Sequence, residues 1–156
     1  MTYDLISEPE YGIPDSAMTA SSGYNENFSA HGSRFDSTHA WAPLEDSDEN
    51  WISADLGENR VVIAIRTRGY VNTFYDYLGY ITQFKVSTSV NGAAWSDVVD
   101  EPGSTIVFQG NSDAETAVTN QMPALIVTRH AELTVLAFVE WPTMRWAFDG
   151  CPVTAN

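Results

Sequence analysis

The chain has 156 residues, with 21 Asp and Glu against 7 Lys and Arg, for a formal net charge of -14 at pH 7. Nucleic-acid binders draw most of their affinity from basic side chains that neutralise phosphates; one lysine, Lys85, and six scattered arginines exclude that role and disfavour an anionic membrane surface as a partner. Disorder is excluded too, because 44% of the residues are apolar and 12% aromatic, ample for the interior of one domain over residues 1–156.

The N-terminal MTYDLISEPEY has neither a basic start nor an apolar core. No apolar run approaches the roughly 18 residues of a membrane-spanning helix. With no visible address, the chain reads as cytosolic or as a mature secreted domain, and the single Cys151 cannot form an intrachain disulfide.

Helical periodicity is absent, while short runs rich in β-branched and aromatic residues recur between Gly, Pro, Asn and Asp, so the reading is all-β. A first loop, SSGYNENFSAHGS, carries Tyr24, Phe28 and His31, and an acidic loop, LEDSDENW, leads into a strand at Trp51. WISADL and then RVVIAIRTR read as two strands; in the latter Val61, Ile63 and Ile65 would face the core and Arg66 and Arg68 the solvent. A second loop, GYVNTFYDYLGY, holds Tyr70, Phe74, Tyr75, Tyr77 and Tyr80 between glycines. The next strand, YITQFKVSTSV, runs into VNGAAW, whose Asn-Gly pair is a hairpin signal. TIVFQG, ALIVTRHAELTVLAFV and TMRWAFDG complete the set, with Met144, Trp146 and Phe148 facing inward in the last. Many short strands with regular turns imply a sandwich or barrel.

The chemistry of the loops points to binding. His31, His39 and His130 lack metal-ligand spacing, and there is no nucleophile elbow, so the chain reads as non-enzymatic. A sugar site combines a ring against which a pyranose stacks with groups that hydrogen-bond its hydroxyls. Tyr24, Asn25, Glu26, Asn27 and Phe28 in the first loop, and Asn72, Phe74, Tyr75, Asp76 and Tyr77 in the second, have that mixture. Apolar tips at Phe28 and Phe74 would instead suit membrane insertion, but Glu26 and Asp76 beside them repel anionic lipid. The same rings could serve as hot spots for a protein partner or for self-assembly into a homo-oligomer. Asn27-Phe28-Ser29 is also a glycosylation sequon.

GIPDSAMTASS, SRFDSTHAWAP, NWISADLG, YITQFKVSTSVNGAAW, VFQGNSD and MRWAFDGC, in this order and over nearly the whole chain, resemble the discoidin family, the type C domains of coagulation factors five and eight. The resemblance implies an antiparallel β-sandwich, a distorted eight-stranded jelly-roll barrel with ligand-binding loops protruding at one end. It also implies an extracellular or cell-surface adhesion module, lectin or phospholipid binder. The two aromatic loops fall at the family's binding spikes, and a third spike would lie near Phe138, Val139, Glu140 and Trp141.

Three departures stand out. The family's terminal disulfide would join Cys151 to a position near Thr2, which is not Cys, leaving Cys151 as a bridge to another chain or a reduced thiol. A calcium ion of the kind some relatives hold would use Asp36 but needs a Glu where this chain has Ala147, so no cofactor is expected. Glu132 stands where the family usually has a basic residue. The leading expectation is a module that binds a cell-surface or extracellular glycan or glycoprotein.

Overall fold

A computed structural model describes residues 1–154. Nine strands run antiparallel: β1 (Tyr3–Asp4), β2 (Met18–Ala20), β3 (Trp51–Arg68), β4 (Tyr70–Asn72), β5 (Tyr77–Ser89), β6 (Ser96–Asp97), β7 (Phe108–Gln109), β8 (Val118–Val139) and β9 (Arg145–Pro152). Single 3-10 turns at Asp15–Ala17, Glu26–Phe28 and Ala30–Ser33 are the only helical pieces among the described residues.

The two long strands β3 and β8 shape the molecule. Trp51 to Asp55 pair with Thr134 to His130, and the ladder then breaks before resuming with Arg60 opposite Thr128. On one side of the break β2, β3, β8 and β5 lie side by side; on the other the order is β1, β9, β3 and β8. The inner faces of these halves close on one another over Phe84, Leu133, Ile52, Ile65, Trp146 and Phe148, all fully buried. This is the expected β-sandwich, with side chains alternating between core and solvent.

Several sequence expectations change in detail. The two strands read at Trp51 and Arg60 are one, because the residues between them bulge out of the ladder around Gly57, in the left-handed region at φ 87°, and the same strand resumes pairing at Arg60. Ahead of a second bulge at Ile63, Val62 is buried while Val61 and Ile63 are only half-buried, so the predicted inward face is wrong there. The extra residue shifts the phase by one position, which returns Ile65 to the core and leaves Arg66 and Arg68 outside. Met144, Trp146 and Phe148 do point inward. β8 begins at Val118, ahead of the expected Ala124, and TIVFQG contributes only Phe108–Gln109. The Asn-Gly hairpin between β5 and β6 exists, but its loop is longer than the two-residue turn; Asn91 Oδ1 accepts from the amides of Ala93 and Ala94.

Candidate functional site

Three loops meet at the end of the sandwich where β5 begins and β8 ends. Fully buried Trp41 anchors the first: its amide and carbonyl pair with those of Met144, and its indole Nε1 donates to Ser22 O at 2.8 Å. Tyr24 N donates to Ala42 O and Ala42 N to Phe28 O, pinning the loop to this anchor. Asn25 Oδ1 accepts from the amides of Asn27 and Phe28 at 2.9 and 3.2 Å, an N-cap that fixes the turn carrying Phe28.

The second loop is the hairpin of β4 and β5, with Tyr70 opposite Gly79 and Asn72 opposite Tyr77. Asn72 Oδ1 accepts from the amides of Phe74 and Tyr75, and the turn closes through Asp76 at φ 51°. Gly79 must lack a Cβ, which would meet the Trp141 carbonyl and the Thr143 hydroxyl at 2.5 Å. That close approach seats the hairpin on the third loop and brings the Tyr77 hydroxyl onto Thr143 Oγ1. Burial pushes the Tyr77 phenol above its ordinary pKa, so it stays neutral.

In the third loop Glu140 turns the chain at φ 61°, and Trp141 Nε1 donates to Pro43 O at 3.0 Å, tying this loop to the first. Behind Tyr70, Arg145 donates to the Gly69 and Ser37 carbonyls, its guanidinium 5.7 Å from the Tyr70 ring centre. It braces the floor without lining it, and burial lowers its pKa from the ordinary guanidinium value.

Together the loops enclose a cavity of about 630 Å³. Eight of the residues singled out from the sequence line it: Tyr24, Asn25, Asn27, Phe28, Asn72, Tyr75, Tyr77 and Trp141. The rings form a connected cage, with Phe28 5.4 Å from Tyr70 and 5.6 Å from Tyr77, and Tyr24 6.0 Å from Trp141. His39, Ala42 and Tyr70 also line it and were missed as site residues. Tyr70 was visible in the aromatic loop, whereas His39 and Ala42 enter only because Trp41 between them is pulled into the core.

Other candidates lie elsewhere, with Glu26, Phe138 and Val139 lining neither this cavity nor its neighbour. Asp76 and Glu140 line a neighbouring recess of about 250 Å³ that shares Asn72 and Tyr77 with the cavity. Phe74 lines neither; it stands 85% exposed at the hairpin tip, edge-on to Tyr75 at 4.9 Å.

The surroundings of Asp36 do not fit a calcium ion. Its carboxylate faces Arg68 at 3.8 Å, the guanidiniums of Arg66 and Arg68 both lie over the adjacent Phe35 ring, and Ala147 supplies no donor and is fully buried.

The arrangement has relatives. The family model of the F5/8 type C domain matches residues 17–148. Human (Homo sapiens) neuropilin-1 is 32% identical over 143 residues, a match covering 91% of this chain but 15% of neuropilin-1, so the chain spans a small part of that relative's length. Discoidin II of Dictyostelium discoideum superposes with a TM-score of 0.75 at 17% identity, covering 89% of this chain and 56% of that one. A module of Clostridium perfringens solved in complex with GalNAc-β-1,3-galactose gives 0.69 at 15% identity, covering 86% and 96%. The sandwich, its order of motifs and the family match agree: the chain belongs to the F5/8 type C, or discoidin, domain family.

Proposed function

We propose that this domain is a non-enzymatic extracellular recognition module that binds carbohydrate in the aromatic cavity. One observation carries the reading: a cavity of about 630 Å³ whose walls alternate ring faces with the amides of Asn25, Asn27 and Asn72. Ring faces stack on the apolar side of a pyranose, and side-chain amides hydrogen-bond its hydroxyls, those of Asn25 and Asn72 by donating from their NH2 groups, since their Oδ1 atoms already accept from loop amides. The volume suits a small ligand in a largely preformed site. The C. perfringens module, solved in complex with GalNAc-β-1,3-galactose, is in keeping with this on a fold that matches at low identity.

A glycan screen followed by titration of Tyr75→Ala tests it. Tyr75 is 75% exposed and its ring packs edge-on against the still more exposed Phe74, so its truncation leaves the fold intact. The expected result is saturable glycan binding weakened about tenfold or more in the variant; no glycan binding by the wild type refutes the reading.

A membrane-inserting role has one observation in its favour, the exposed Phe74 and Tyr75 at the hairpin tip. The acidic Asp76 and Glu140 beside the tip oppose anionic lipid, so flotation with phosphatidylserine vesicles in physiological salt is expected to leave the protein unbound.

A further inference from the structure

Of the candidate residues outside the aromatic cavity, Asp76 and Glu140 line the smaller recess beside it. The two spaces share Asn72 and Tyr77 in their walls, so the recess lies directly beside the ring cage. The chemistry changes across that boundary. The cage offers aromatic faces and neutral amides, whereas the recess adds the carboxylates of Asp76 and Glu140. Among the described residues neither carboxylate is in a salt bridge or accepts a hydrogen bond from a protein donor. No Lys or Arg is among the residues lining either space; Arg145, behind Tyr70, is committed to the Gly69 and Ser37 carbonyls. Aromatic faces carry negative quadrupole charge and attract cations, as carboxylates do. Both parts of the site thus favour a positive group on the ligand and oppose a negative one.

We propose that the site selects an amino sugar over its neutral counterpart, the pyranose stacking in the aromatic cavity and a free ammonium group entering the recess of Asp76 and Glu140. This rests on the carbohydrate reading above and adds the charge of the ligand to it. Uronic acids and sulfated sugars are disfavoured by the same carboxylates. Asp76 and Glu140 are specificity-determining residues in this scheme, while the cage supplies the affinity that all pyranoses share.

Calorimetric titration with a β-1,4-linked glucosamine tetramer and with its fully N-acetylated form tests the proposal, since acetylation removes the charge and keeps the ring. The glucosamine tetramer is expected to bind about tenfold more tightly at low ionic strength, with the margin shrinking as salt is added. In an Asp76→Asn, Glu140→Gln double variant the two sugars are expected to bind within about twofold of each other. Asn tolerates the positive φ at position 76, and an unchanged melting temperature shows that the variant is folded. An Asp46→Asn, Asp48→Asn variant removes equal charge from the exposed acidic loop and is expected to keep the preference. Equal binding of both tetramers to the wild type, or a preference that survives the Asp76 and Glu140 changes or falls equally in the acidic-loop variant, overturns the proposal but leaves the carbohydrate reading standing. Absence of binding to either tetramer or to any glycan of the screen overturns both.

Discussion

β1 and β9 place Tyr3 opposite Gly150 and Asp4 opposite Asp149, so continuing the register by one residue sets Thr2 opposite Cys151, a free and half-buried thiol. Leu5 N donates to Phe148 O at 2.8 Å, and counting back from that bonded pair makes Thr2 and Cys151 a non-hydrogen-bonded pair. Such pairs have Cα atoms about 4.5 Å apart, within the range of about 4.4–6.8 Å that a disulfide spans. Thr2→Cys should therefore form a bridge without moving the backbone. Closing a loop of about 150 residues removes enough entropy from the unfolded chain to add about 5 kcal/mol. For a domain of this size that raises the melting temperature by about 10–20 °C, less whatever strain the bridge introduces. Calorimetry of the variant with and without reductant measures the gain, intact mass and thiol titration confirm the bridge, and the wild type should respond to reductant far less. A variant that keeps two free thiols under oxidising conditions would refute the register. A fully bridged variant with no rise in melting temperature would refute the entropic argument.

Two further outcomes concern the fold. Asp97 accepts hydrogen bonds from Ser87 Oγ at 2.8 Å and Thr105 Oγ1 at 2.9 Å, with Lys85 Nζ at 3.4 Å, and these, the Ser87 hydroxyl foremost, hold its carboxyl below the usual range. A depressed carboxyl stabilises above the unfolded pKa and loses that contribution as pH falls through the folded one. Asp97→Asn should thus cost about 1 kcal/mol at pH 7, in urea denaturation, with the difference from wild type closing below about pH 4; a pH-independent difference would discount the ionised form. At Gly150 an added Cβ would collide with the Val61 carbonyl and meet Leu5 Cδ1 at 2.8 Å. Gly150→Ala should accordingly destabilise by about 3–5 kcal/mol, and near-native stability would show that β9 does not approach β3 so closely.

Much of the fold was legible because strand-forming residues and turn residues announce themselves locally: Trp51, Arg60, Tyr80 and Thr143 were all read as opening strand-forming runs. The phase error at Val61 and Ile63 was not avoidable from local pattern, since a bulge depends on the strand paired across from it. There the constraint is Gly150, whose missing side chain lets β9 sit against Val61. In the candidate site, aromatic composition between turn residues marked both loops, and eight of the residues named from sequence line one cavity. Composition could not separate Phe74 from Tyr75, neighbours in sequence of which only Tyr75 faces the cavity.

By itself the sequence determined the all-β class, the aromatic character of the loops and the acidic balance, all properties that add up residue by residue. The tertiary structure alone decided which of those residues meet. Tyr24 and Trp141 share a wall because Trp41 draws the first loop into the core and Trp141 Nε1 ties the third loop to Pro43. Asp76 and Glu140 share a recess because Gly79 lets the hairpin rest on the Trp141 carbonyl. Long-range packing sets both, and no local pattern encodes which carboxylate will stand beside which ring.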